Sequence, residues 1–153
     1  MHSYRYSVDI EAPVESVFAF DTDPRNWPRT MASLTDLEII EETGDTVQLK
    51  GTYSLLGIKM EGEITMTVVE PNAHVVTEFR NDRMHGTMHN RYAETETGTR
   101  LELEAEYEFG DSLLGRLTEP VATRYNNRQF KNHLEHTKDL VEAEATVVAA
   151  SDA

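Results

Sequence analysis

The stretch DSLLGRLTEPVATRYNNRQFKNHLEHTKDLVEAEATVV, residues 111–148, decides the fold. Gly110 before it supplies a flexible joint, and Asp111 and Ser112 offer oxygens to the first free N–H groups of a helix. Pro120 removes one intrahelical bond, which predicts a kink, or a short first segment from Leu113 to Glu119. Beyond it Val121, Tyr125, Phe130, Leu134, Val141, Ala145 and Val148 recur near multiples of a helical turn. Arg128, Lys131, Glu135, Lys138, Glu142 and Glu144 fill much of the other side. A helix of this kind needs a broad apolar surface to lie on.

The rest of the chain supplies one in strands. Tyr4, Tyr6, Val8 and Ile10 alternate with polar residues, the period of a half-buried strand. Pro13 then opens a short helix through Val14, Val17, Phe18 and Phe20, broken by Asp21, Asp23 and Pro24. Asn26-Trp27-Pro28 begins a second short turn up to about Leu34. Six strands follow, divided at Gly44-Asp45, Leu55 to Ile58, Glu70-Pro71-Asn72, Arg80 to Gly86 and Thr97-Gly98. The last is the clearest: Leu101, Leu103, Ala105, Tyr107 and Phe109 alternate with Glu102, Glu104, Glu106 and Glu108. Four glutamates in register mark the solvent face. The expected architecture is α+β: a curved seven-stranded antiparallel sheet wrapped around the long C-terminal helix, with two short helices between strands one and two. One domain, 1–148, is expected, with 149–153 as a disordered tail.

Composition narrows the function. The chain has 153 residues, no cysteine and a formal charge of −14, with four lysines against ten arginines. Such a charge argues against nucleic acid or anionic membrane as a partner through a basic face, and fits an acidic coat of the kind found in salty cytoplasm. An ordinary acidic protein gives the same balance. The N-terminus lacks the pattern of a signal peptide and no apolar run nears the roughly 18 residues of a membrane span, so the expected location is cytoplasmic, without integral membrane contact. Cysteine nucleophiles are excluded, no phosphate-binding glycine loop occurs, and Ser16, Ser33 and Ser54 lie in ordinary contexts. His85 and His89, and His133 and His136, have spacings that invite a metal reading, but no third ligand is evident. No metal and no cofactor is expected.

The motifs Val8-Asp9-Ile10-Glu11-Ala12-Pro13-Val14-Glu15-Ser16-Val17-Phe18, Asp23 to Pro28, Val68-Val69-Glu70-Pro71 and Gly98-Thr99-Arg100-Leu101 resemble the START-like (SRPBCC, Bet v 1-type) superfamily, and within it the polyketide cyclase/dehydrase and lipid-transport group. The resemblance covers nearly the whole chain and implies the helix-grip fold. It leaves function open among carriers of hydrophobic ligands, cyclases, oxygenase domains and chaperone activators.

Strand phase predicts an internal cavity lined by Tyr53, Met60, Ile64, Met66, Thr77, Phe79, Met88, Asn90, Tyr92 and Tyr107, closed by Leu117, Val121, Arg124 and Tyr125 of the helix. In a meander alternate connections share one end, which places Leu55, Leu56, Ile58, Met84, Leu113 and Leu114 together, as the rim of a mouth or as a packed plug. An inward Arg124 or Arg128 would hold a carboxylate or enolate oxygen. The favoured function is binding, and carriage, of a hydrophobic small molecule such as a lipid, quinone or polyketide. The alternative is a cyclase or dehydratase using Arg124, Arg128, Tyr107 and Asp82 or His85. Binding is preferred because the pattern forces no inward carboxylate or histidine, which acid/base chemistry would need. No docking patch of the chaperone-activator kind is visible, and no protein partner is predicted.

Overall fold

The computed structural model describes residues 1–110 and 119–152. In chain order the elements are β1 His2–Ile10, α1 Val14–Asp21, a single 3-10 turn Pro24–Asn26, α2 Trp27–Thr30, β2 Leu34–Thr43, β3 Thr46–Leu55, β4 Ile58–Glu70, β5 His74–Arg80, β6 Met84–Glu94, β7 Thr99–Phe109 and α3 Glu119–Asp152. The strands form one seven-stranded sheet in the order β1-β7-β6-β5-β4-β3-β2. Every neighbouring pair is antiparallel. Short connections force the meander from β2 to β7, and the two small helices carry the chain from one sheet edge to the other.

Alternation along the strands sets which side is buried. On β7, Leu101, Leu103, Ala105 and Tyr107 are buried while Glu102, Glu104, Glu106 and Glu108 face outward. Opposite them β1 turns Val8 and Ile10 inward, and Leu101 pairs with Val8. β3 and β4 place Gly51 opposite Gly62, and strand glycines leave room for close approach. At Gly62 a Cβ would lie 3.0 Å from the Arg80 carbonyl and the Phe79 ring. Gly98 is tighter: a Cβ there would meet the Ile10 carbonyl at 2.1 Å, so the start of β7 can close on the end of β1 only with glycine.

α3 lies along β1 and against α1 and α2. Its described part runs Glu119–Asp152, and the expected kink or short first segment before Pro120 falls at the edge of the described residues. The expected start at Asp111 and the segment Leu113 to Thr118 lie outside the described residues. Among those described, no helix is long and apolar enough to cross a membrane.

Candidate functional site

α3 does not seal the sheet completely. Between them lies a cavity of about 110 Å³, walled by Ile64, Met66, Val75, Thr77, Phe79, Met88 and Tyr92 of the sheet and roofed by Asn126, Phe130 and His133 of α3. Tyr53, Met84, Asn90 and Tyr107 also line it, with Asp21, Trp27 and Met31 from the small helices. Of the residues assigned to the cavity from strand phase, Met60 alone does not line it. It is buried beside it, in a cluster with Tyr53, Leu55, Met84 and Ala122.

The helix side differs from expectation. Val121 is 50% exposed, and Arg124 and Arg128 are exposed, so neither arginine reaches an internal ligand. Tyr125 is partly buried but donates to the Ser54 carbonyl at 3.1 Å and does not line the cavity. The buried face runs instead through Ala122, Asn126, His133, Leu134, Thr137 and Val141. These positions obey helical spacing as well as the predicted set does, but half of them are polar. Counting apolar residues therefore set the phase one position wrong over the first turns. Leu117, Leu113 and Leu114 lie outside the described residues.

Near the β3–β4 turn Leu55 is fully buried and Met84 nearly so, with Ile58, Phe79 and Phe109 against them among the described residues. Leu56 is the exposed member, at 46%.

The other wall holds a polar cluster that sequence reading missed. Asp21, the last residue of α1, is buried, although helix carbonyls ending at that point disfavour a carboxylate. Its partners offset this: Asn90 Nδ2 donates to Oδ2 at 2.9 Å, the Tyr92 hydroxyl donates to the same oxygen, and His133 Nε2 stands 3.5 Å from Oδ1. His133 Nδ1 lies 2.8 Å from Thr30 Oγ1. Burial by itself would raise the Asp21 carboxyl, but His133, Tyr92 and Asn90 outweigh it and hold the group below the usual carboxylate range. Burial first, and then the Asp21 charge, push the Tyr92 phenol far up. Burial likewise raises Tyr53 and pushes Tyr107 up to about 12, so both remain neutral hydroxyls that orient rather than ionise. A signal for Asp21 existed: Val14, Val17 and Asp21 share one face of α1 at spacings of three and four.

The remaining candidates face elsewhere. His85 sits on the outer sheet face beside Glu108, and His89 stacks there on His74 with ring nitrogens 2.9 Å apart. Asp82 is exposed in the β5–β6 loop. His136, which does not line the chamber, reaches the Thr30 carbonyl at 3.2 Å; His133 is the exception, reaching the Thr30 hydroxyl at 2.8 Å while standing in the chamber wall. Among the described residues no group of three or more His, Cys, Asp or Glu side chains could hold a metal ion.

An apolar chamber with one carboxylate and one imidazole in its wall can exclude water from a ligand, orient it, and polarise a carbonyl. The fold recurs in solved structures of low identity. Similar structures include TTHA0849 from Thermus thermophilus, with TM-score 0.82 and 16% identity over 94% of this chain and 99% of the other. A START superfamily protein from Mycobacterium smegmatis matches with TM-score 0.78 and 14% identity, over 94% and 99%. The Zhui aromatase/cyclase from Streptomyces sp. R1128 matches with TM-score 0.80 and 16% identity, over 94% and 95%. No curated protein matches the chain. Residues 1–142 match the family described as polyketide cyclase / dehydrase and lipid transport, and with that span the chain belongs to this family.

Proposed function

We propose that the chain binds a neutral hydrophobic small molecule in the chamber between the sheet and α3. The observation that carries this reading is the chamber itself, about 110 Å³ left open in a core whose neighbouring clusters are closely packed. At roughly 24 cal/mol per Å³ an unfilled volume of that size costs on the order of 3 kcal/mol against a filled core. A binding role gives a reason to bear that cost. The size also selects: an engineered cavity of about 150 Å³ takes benzene, whereas pockets for drug-sized ligands run from about 300 Å³. As it stands the chamber suits one small ring. A lipid or polyketide would need Met66, Met84 and Met88 to shift, which unbranched thioether side chains do readily.

The test is a titration of protein carrying ¹³C-methyl methionine with five- and six-membered hydrocarbons. Saturable shifts at Met66, Met84 and Met88 are expected, and Met66→Ala should move the preference to the larger ring. Unmoved methyl resonances at millimolar ligand would refute the reading. Turnover of the cyclase or dehydratase type is a second reading, favoured by one observation: Asp21 and His133 put in the wall the carboxylate and the imidazole that such chemistry uses. The aromatase/cyclase among the similar structures agrees with it in fold.

A further inference from the structure

His133 has one ring nitrogen engaged and one waiting. Nδ1 is satisfied by Thr30 Oγ1 at 2.8 Å whichever way that hydroxyl turns, because it can accept from the ring while donating to the Trp27 carbonyl at 3.2 Å, or donate to the ring instead. Nε2 is different. The group that faces it is Asp21 Oδ1, and Asp21 already accepts at Oδ2 from both Asn90 and Tyr92. A carboxylate held ionised in this way only accepts, so Nε2 must carry a proton. Its distance from Oδ1, 3.5 Å, exceeds the 2.7–3.2 Å of an N–H···O bond. An N–H donor is thus held in the chamber wall, oriented by a carboxylate but not consumed by it.

We propose that His133 Nε2–H is the docking point for a carbonyl oxygen, and that the ligand is a neutral, ring-sized carbonyl compound. This rests on the chamber being a binding site and adds the chemical class of its occupant. The acceptor must be neutral for two reasons. An anionic oxygen at Nε2 would come close to the Asp21 carboxylate, and the arginines that would compensate it, Arg124 and Arg128, are exposed on the outer side of α3. A ketone or ester oxygen carries no such penalty. The other walls are largely apolar and match the hydrocarbon part of the ligand. A ketone polarised at this point has more acidic C–H bonds next to its carbonyl, which is the property that cyclisation and dehydration draw on.

The experiment compares cyclopentanone with methylenecyclopentane, which has nearly the same shape and no acceptor, on native protein and on His133→Phe. The preference for ketone over hydrocarbon, a ratio that cancels any change in overall affinity, is expected to fall at least ten-fold in the variant. In parallel, the ¹³C carbonyl resonance of labelled cyclopentanone bound to native protein should lie downfield of its position in a hydrocarbon solvent, a readout that needs no variant if His133→Phe fails to fold. An unchanged preference ratio, or a bound carbonyl resonance at its hydrocarbon-solvent position, overturns the carbonyl assignment while hydrocarbon binding leaves the chamber reading standing. Binding of neither molecule overturns both.

Discussion

Along the buried face of α3 the chamber has two differently built boundaries, at Ala122 and about three turns later at His133. Around Ala122 the packing is mainly apolar: Leu55, Met60, Met84 and the ring of Tyr53 fill the space under the β3–β4 turn, with one internal polar contact where the Tyr53 hydroxyl donates to Asn126 at 2.6 Å. Around His133 runs a connected polar chain, Thr30, His133, Asp21, Tyr92 and Asn90. The difference matters because the two materials fail differently. An apolar cluster loses energy in proportion to the atoms removed, and its neighbours partly relax into the gap. A buried polar cluster that loses one member leaves the others desolvated without partners, so its members stand or fall together.

The largest effect should therefore come from the polar boundary. Asp21→Leu, close in size, strands Tyr92, Asn90 and His133 at once and is expected to cost about 3–5 kcal/mol. The cost should depend on pH in a definite direction. The folded Asp21 carboxyl lies below its unfolded value, so its contribution is full above the unfolded value, about 3.9, and is lost as pH falls through the lower folded one. Denaturant melts of native protein and variant should differ most near neutral pH and converge in acid. A difference that grows as pH falls would mean that Asp21 is held neutral in the fold and that the cluster is not charged, and a constant one that folding does not shift it.

At the apolar boundary Leu55→Ala should cost about 3 kcal/mol, since the side chain is fully buried. No titrating group touches the result, and the loss should be flat from pH 3 to 8. A pH-dependent loss would show that the two boundaries are coupled through the chamber rather than separate. Because the residues lie on different elements with no shared partner, the double variant Asp21→Leu/Leu55→Ala should be additive within about 0.5 kcal/mol.

The same contrast explains what could be read from the sequence. β7 was legible because apolar residues and glutamates alternate without a break from Leu101 to Phe109, and the six-strand meander was legible because glycine and proline mark most of its turns. Strand phase turned Tyr53 and Met60 inward, and the parity of the meander connections brought Leu55 and Met84 to one end of the sheet. The polar boundary did not follow, because a periodicity argument assigns polar residues outward. Asp21 read as a helix breaker, His133 drew notice only for a metal spacing that lacked a third ligand, and Asn126 and Thr137 were assigned to no face, although all four are buried. The phase of α3 was lost for the same reason, and with it Val121, Arg124 and Tyr125. What decides such residues is a partner on another element, and partners distant in sequence leave no local pattern. Asp21 and His133 meet across more than a hundred residues of chain.

The smallest expected effect has the opposite sign and belongs to the turn that caps the apolar boundary. Leu56 and Gly57 form a two-residue connection between β3 and β4, with φ of 51° and 84°. Two positive φ values in succession are the pattern of the tight hairpin turn that favours Asn-Gly. Leucine in that conformation is disfavoured by on the order of 1 kcal/mol, because its Cβ approaches the following carbonyl. Its side chain is 46% exposed and recovers little of this by burial. Leu56→Asn should therefore stabilise the fold by about 0.5–1 kcal/mol, read as a rise in melting temperature. If Leu56 also guards entry to the chamber, the stabilised variant should take up cyclopentanone at a different rate with its equilibrium affinity unchanged, which stopped-flow and equilibrium titration separate. A variant less stable than native protein would show that Leu56 packs as part of the plug, and the apolar boundary would then extend to the surface of the molecule.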